Sequence, residues 1–393
     1  MRPVEIHEAG LVLRPWQADD ADAVHRACQD PAIQRWTGVP VPYERDHAVA
    51  FTAGALARWA DERDAPLGVF DAETGELLGS AGLVRLDLSA GVGEIGYWVA
   101  PWARGRGVGT RAARATARWA LNPLGLRQLI WRAEVGNHLS RLVALRIGVR
   151  MEGVQRRALD GRDGPVDAWV GSLLPGELRE TDDGLPAFVA RRAAAFTGEQ
   201  PTLSATTRAG EMITLRPLAE RDLADVVAAC RDRESARWTT LPDPYGRTDG
   251  EFFIREHTPA QWTAGTGIVC AIADPADRFA GSMDLRISGD RPELGDVGFL
   301  VAPWARGRGY GSAALRALIR WGFEACGLAR IEWRAFVGND GSRRVAEAAG
   351  FVVEGVARQG CRARHGYVDG WVGALLPTDI APVRAREGGR HAG

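Results

Sequence analysis

Two short loops gather the residues best suited to chemistry. Val99 to Thr110 reads VAPWARGRGVGT, and Val301 to Ser312 reads VAPWARGRGYGS; eight of the ten residues from Pro101 onward are identical, at an offset of 202 positions. Each copy carries three glycines (Gly105, Gly107, Gly109; Gly307, Gly309, Gly311) and two arginines (Arg104, Arg106; Arg306, Arg308). An apolar strand-like run precedes the loop, and a helix-like run begins near Gly107 with Val108, Gly109 and Thr110, matched by Tyr310, Gly311 and Ser312. First-turn N–H groups of a helix lack intrahelical partners and attract an anion. Glycine supplies unusual dihedrals and lets a ligand approach the main chain, and guanidinium forks suit phosphate oxygens. A diphosphate is the guest this combination fits. Three alternatives compete. A tight turn with solvated arginines needs no ligand. A dinucleotide fingerprint needs G-x-G-x-x-G and a later acid, whereas the spacing here is G-x-G-x-G. An RNA-binding arginine–glycine segment is longer and disordered.

The elements that must hold these loops are also written twice. LRPW at Leu13 matches LRPL at Leu215, RWTGVPVPY at Arg35 matches RWTTLPDPY at Arg237, and WRAEVGN at Trp131 matches WRAFVGN at Trp333. A constant offset means that a whole domain was duplicated. The expected division is 1–178 and 209–380, with a polar linker at 179–208 in which LPAFVARRAAAF could form a short helix, and a disordered tail at 381–393. Each copy reads as an opening strand, two helical stretches, three strands, the glycine loop, a helix, a strand, a helix and two closing strands. That order predicts an α+β class, a mixed sheet flanked by helices.

Composition narrows the function. The net charge of −1 argues against a general polyanion binder, and every one of the 49 basic residues is arginine. Without lysine there is neither a Walker-A phosphate loop nor a Schiff base. No apolar run is long enough for a bilayer, no signal peptide is visible, and the five cysteines lack C-x-x-C spacing. A reduced cytoplasmic setting, without membrane or nucleic-acid partners, is expected. None of the seven histidines has a counterpart in the other copy, which argues against a shared histidine base or metal site. Cys28 and Cys230 do correspond, and buried packing suits them better than thiolate chemistry.

R-x-x-G-x-G after a strand, at Arg104-Gly107-Gly109 and Arg306-Gly309-Gly311, resembles the acetyl-CoA loop of the GNAT N-acetyltransferase superfamily. The pattern N-x-x-S…G-[VF]-x-x-EG, at Asn137, Ser140, Gly148, Glu152-Gly153 and at Asn339, Ser342, Gly350, Glu354-Gly355, is similar to the RimJ/RimL branch. The resemblance covers nearly all of both copies. It departs at Val149, where the family usually has the phenylalanine seen as Phe351. It implies two tandem GNAT domains that use acetyl-CoA and transfer acetyl to an amine, on a peptide N-terminus or a small molecule such as an antibiotic or polyamine. It also implies two central strands that splay beside the loop, with main-chain groups near Val99 and Val301 pairing with the pantetheine arm. The copies could pair internally as a pseudo-dimer, or the chain could form a homodimer. One copy could instead be a non-catalytic acyl-CoA-binding or docking module.

Amide formation from a thioester needs a neutral nitrogen and a proton for the departing thiolate. Glu94 and Asp296 correspond on the strand before the loop. An acid on a buried apolar strand would hold its proton more tightly, as suits a base; orienting a neighbour or facing solvent are the alternatives. Asn137 and Asn339 are two of only three asparagines. The resemblance implies that they bond the pantetheine arm and that Ser140 and Ser342 protonate the thiolate, although Asn at a helix start is equally an N-cap. Trp36, Tyr43, Trp238 and Tyr245 are expected either to line the acceptor pocket or to fill the core. Asp167 and Asp369 are duplicated too, with fold maintenance the competing role.

Overall fold

The computed structural model describes residues 1–380; the expected disordered tail at 381–393 lies outside the described residues. Two compact units divide at Pro186 and Ala187. The first contains strands β1 (Ile6–Glu8), β2 (Leu11–Pro15), β3 (Ala65–Asp71), β4 (Leu77–Asp87), β5 (Val92–Val99), β6 (Gln128–Glu134), β7 (Arg150–Gly161) and β8 (Gly164–Leu173). Its helices are α1 (Ala21–Cys28), α2 (Pro31–Trp36), α3 (Arg45–Ala53), α4 (Ala55–Ala60), α5 (Val108–Leu121) and α6 (His138–Ile147). The second unit opens with α7 (Ala187–Ala195), then β9 (Leu203–Thr206) and β10 (Met212–Arg216). Helices α8 (Leu223–Arg231), α9 (Arg233–Trp238), α10 (Arg247–Phe252) and α11 (Thr258–Ala264) precede β11 (Gly267–Ala273), β12 (Phe279–Ile287) and β13 (Leu294–Val301). It closes with α12 (Tyr310–Glu324), β14 (Arg330–Phe336), α13 (Asp340–Ala349), β15 (Val352–Ala363) and β16 (Gly366–Leu375).

The expected mixed sheet is present in both units. The strand orders, β1-β2-β3-β4-β5-β6-β8-β7 and β9-β10-β11-β12-β13-β14-β16-β15, are the same. In each sheet only one neighbouring pair is parallel, β5–β6 and β13–β14. That pairing is short. It runs from Val92↔Gln128 to Glu94↔Ile130 in the first unit and from Leu294↔Arg330 to Val297↔Trp333 in the second. Beyond those residues β5 and β13 keep their antiparallel partners on one side and lose the parallel neighbour on the other. The splay opens beside the glycine loop.

Two expectations change. The first helical region forms four helices rather than two, because Asp30 caps a new start by accepting from the Ile33 N–H at 2.9 Å, with Pro31 at the first helical position, while Gly54 separates α3 from α4. The 179–208 segment is not a free linker. Arg114 on α5 donates to the Arg179 carbonyl and to Asp182 at 2.7 Å each, holding its first part on the first unit. Phe196, just beyond the expected helix α7, packs on Trp262, and β9 extends the second sheet. Asp167 and Asp369 keep the fold: each accepts from a backbone N–H, of Arg157 at 2.8 Å and Gln359 at 2.9 Å, donors whose φ values are +51° and +49°. Those contacts pin irregularities in the closing hairpins.

Candidate active site

The loop's three glycines do two jobs. Gly105 and Gly107 have φ of +74° and +72°, Gly307 and Gly309 +76° and +77°, conformations in which a side chain is strained. They turn the chain so that α5 and α12 start with their first-turn N–H groups unpaired. The third glycine serves packing: a Cβ at Gly109 would lie 3.1 Å from Val99 Cγ2, and at Gly311 3.0 Å from Val301 Cγ2. Val108, Thr110 and Tyr310 are buried behind the turn, and Ser312 Oγ donates to the Gly309 carbonyl at 3.1 Å.

The first arginine of each loop has a carboxylate partner within its own unit, contrary to the simple expectation of a free phosphate fork. Arg104 forks onto Asp30, the cap of α2, at 2.5 and 3.2 Å. Arg306 donates to Asp232, the cap of α9, at 2.6 Å and to Ser235 Oγ at 3.0 Å. These side chains brace the loop. The second arginines lie further out: Arg106 is 3.9 Å from Asp71, and Arg308 donates to Glu211 at 2.7 Å.

Asn137 and Asn339 cap α6 and α13, accepting from the Ser140 and Ser342 N–H groups at 3.2 and 3.1 Å. The cap uses the side-chain oxygen and leaves the amide NH2 to other partners. Ser140 and Ser342 diverge. Ser342 Oγ accepts from Trp333 Nε1 at 3.0 Å, which turns its own hydrogen elsewhere. Ser140 Oγ accepts from Trp131 Nε1 at 3.3 Å and donates to Tyr97 Oη at 3.4 Å, while Tyr97 donates to the Ser140 carbonyl at 2.9 Å. Tyr97 thus ties β5 to α6 across the splay; its counterpart Phe299 has no hydroxyl to do so. Burial pushes the Tyr97 phenol well above its usual range and keeps it protonated.

Glu94 is buried, as expected, with Arg85 donating to Oε1 at 2.8 Å and Arg132 Nε 3.4 Å from Oε2. Asp296 is not buried. Its side chain is 47% exposed and is held by Arg286 Nε at 2.9 Å. Sequence comparison between copies also passes over Asp284, whose counterpart is Gly82. It has no duplicate to draw attention to it.

The aromatic candidates separate as well. Trp238 lines the cleft of the second unit, its ring 3.5 Å from where a Cβ on Gly338 would stand. Trp36 is 37% exposed under the Arg35 guanidinium. Tyr43 and Tyr245 are buried at 5% and 4% exposure, and each is hydrogen-bonded to the paired cysteine, Cys28 or Cys230. They fill the core, and Tyr245 lies outside the lining of the second-unit cleft. Burial pushes both thiols up to about 11, which removes thiolate chemistry there.

In the second unit the loop, the splay and the Asn339 turn surround one cleft of about 1050 Å³, lined by Gly298, Val301, Gly309, Trp333, Asn339 and Ser342 among others. Its open glycine turn, unpaired helix-start donors and long trough fit a diphosphate followed by an extended arm. Among the described residues there is no candidate metal cluster, and no helix is long and apolar enough to cross a membrane.

Comparison with known proteins agrees with the duplicated geometry. The family described as "Acetyltransferase (GNAT) domain" matches residues 10–150 and again 212–352, the same 202-residue spacing and more than half of the chain. The uncharacterized N-acetyltransferase YoaA of Bacillus subtilis is 24% identical over 164 residues, 42% of this chain and 93% of that protein. YdaF of the same organism, provisionally named a ribosomal N-acetyltransferase, is 40% identical over 85 residues, 22% of this chain and 46% of that one. The solved structure of Mycobacterium smegmatis RimJ in complex with CoA-disulfide aligns with TM-score 0.42 and 21% identity, covering 46% of this chain and 90% of that chain. With a family match on each unit over the loop, the splay and the capped α6 and α13 turns, the chain belongs to the GNAT acetyltransferase family as a tandem pair of its domains.

Proposed function

We propose that the protein transfers acetyl from acetyl-CoA to a primary amine, by direct attack with both substrates bound. The observation that carries this reading is the second-unit cleft: a left-handed glycine turn at one end, a strand edge released from its parallel neighbour in the middle, and the Ser342 hydroxyl on the lining. The first-turn N–H groups behind Gly309 would hold the diphosphate, helped by the helix dipole. The edge of β13 released from β14 would bond the pantetheine arm once the arm displaces the long Arg306 Nε contact to the Val301 carbonyl at 3.3 Å, and the Asn339 amide could join it. Acetyl-CoA supplies an activated acyl carbon. The protein supplies position, a proton acceptor for the nitrogen and a proton donor for the departing sulfur. Ser342 suits the donor role because Trp333 fixes its oxygen from the other side.

A thiol is already acidic, with an ordinary pKa of about 8.5, so help from Ser342 is modest. Ser342→Ala is expected to lower kcat about tenfold, below the roughly hundredfold minimum usual for general acid catalysis because the thiolate is a good leaving group, with little change in the KM for acetyl-CoA; steady-state kinetics on the full chain checks this. The reading itself is tested by following free thiol release from acetyl-CoA with a panel of peptides differing in their first residue, plus spermidine. Amine-dependent release supports it. Failure of every member, together with no saturable binding of coenzyme A, refutes it.

A further inference from the structure

Three differences separate the units at matching places. Where the second has Asp284, Phe299 and Phe336, the first has Gly82, Tyr97 and Glu134. Tyr97 ties β5 to α6 across the splay, and Glu134, at the end of β6, is forked onto Arg35 of α2 at 2.5 and 2.7 Å. The first of these contacts crosses the first unit's splay, and the second ties α2 to the end of β6. Phe299 and Phe336 line the open cleft of the second.

Asp284 sits on β12 directly opposite Gly298, a residue of the cleft wall. Its Oδ1 is 2.7 Å from where a Cβ on Gly298 would stand, so the carboxyl occupies space that only a glycine leaves free. The side chain is 23% exposed, and Oδ2 is sealed from water without a hydrogen-bond partner. Arg286 Nη1 approaches Oδ2 at 3.0 Å as an ion contact without hydrogen-bond alignment. The first unit cannot carry such a group at this place: a Cβ on Gly82 would meet the Ala65 carbonyl oxygen at 2.4 Å.

We propose that Asp284 is the catalytic base of the second unit, that acetyl transfer occurs in that unit's cleft, and that the first unit, with Gly82 at the matching position, Glu94 held by Arg85 and Arg132, and Tyr97 tied across its splay, does not turn over. This rests on the acetyltransferase reading above. In the step, the amine nitrogen forms a bond to the acetyl carbon and the carbon–sulfur bond breaks. The nitrogen's proton passes to the Asp284 carboxylate, and the sulfur leaves with its electron pair and is protonated by water directly or by Ser342, which takes a proton back from water in the same step. Asp284 then returns its proton to solvent.

The surroundings suit this work. Burial pushes the Asp284 carboxyl up to about 6, opposed by Arg286 on its own strand and reinforced by Asp296 on β13. On the other side, β11 places Val269 directly opposite Asp284, and the neighbouring Cys270 thiol, which burial pushes up to about 12, carries no charge near neutrality. Two helices also pack on β12: α8 carries Asp225, Cys230 and Arg231, the last donating to the Tyr245 carbonyl at 2.6 Å, and α12 carries Tyr310, Arg316, Arg320 and Glu324. Asp284 therefore becomes ionised, and able to accept a proton, as pH rises through about 6.

The test compares wild type, Asp284→Asn and Asp284→Glu in the full chain with the same peptide and spermidine panel. Asp284→Asn should lower kcat about a hundredfold, within the range for a general base, and abolish the acidic limb centred near pH 6. Coenzyme A affinity measured by calorimetry should not change, and Asp284→Glu should regain part of the rate. Retention of rate and acidic limb in Asp284→Asn, with coenzyme still bound, overturns the assignment and leaves the acetyltransferase reading standing. Loss of saturable coenzyme binding by the wild type overturns that parent reading instead. A readout independent of the acceptor is carbon-detected NMR of labelled aspartates. The resonance missing from Asp284→Asn should titrate near pH 6, and a midpoint near 4 refutes the proposal.

Discussion

Gly309→Val is expected to remove coenzyme binding at the second-unit loop and to lower acetyl transfer by about a hundredfold or more. Gly309 has φ +77°, and a β-branched residue there costs toward the upper end of the roughly 1–3 kcal/mol typical of strained backbone. Relief of that strain by rotating the turn would take its N–H groups away from the position proposed for the diphosphate. A loss of about 2.7 kcal/mol corresponds to a hundredfold. Gly107→Val imposes the same strain in the first unit, where φ is +72°. Calorimetric stoichiometry should fall from two to one in either variant, while turnover falls far more in Gly309→Val. Equal, small effects of both variants on binding and rate would show that these turns do not hold the coenzyme.

The second large effect is on stability. Arg216 at the end of β10 forks onto Asp222, the residue before α8, at 2.7 and 2.9 Å and also donates to Asp277 at 2.7 Å. The Arg216 and Asp222 side chains are only 10% and 3% exposed. Removing one member of a buried pair strands the other, at a typical cost of about 3–5 kcal/mol. Arg216→Ala should therefore lower the stability of the second unit by roughly 3 kcal/mol. Arg14 makes the matching fork to Asp20, with bonds of 2.9 Å, but its side chain is 21% exposed. Arg14→Ala should cost the first unit less, about 1 kcal/mol, since water screens the pair. Denaturant unfolding gives the totals, and hydrogen exchange over residues 212–231 locates the loss. Unchanged exchange there in Arg216→Ala would contradict the role given to the fork.

The glycine–arginine loop was readable from sequence because its geometry is stated by residue type. Left-handed turns require glycine, a helix start requires unpaired donors, and both recur at one spacing. The order of elements was readable for the same local reasons, as was the capping alternative for Asn137 and Asn339. What escaped depended on tertiary partners. Nothing in the loop shows that Arg104 and Arg306 would meet Asp30 and Asp232, 74 residues away in each unit. Tyr43 and Tyr245 follow a proline-rich turn of the kind that commonly edges a pocket, but the chain folds them under the first helices. Comparing copies also favours what they share. Asp284 escaped because its partner is a glycine, and the value of a buried acid emerges only once Gly298 is seen to make room for it.

The most direct measurement is a calorimetric titration of the full chain with coenzyme A. Two saturable sites per chain are expected, with the second-unit site lost in Gly309→Val. No saturable heat, or binding unchanged by that substitution, would contradict the account at its base.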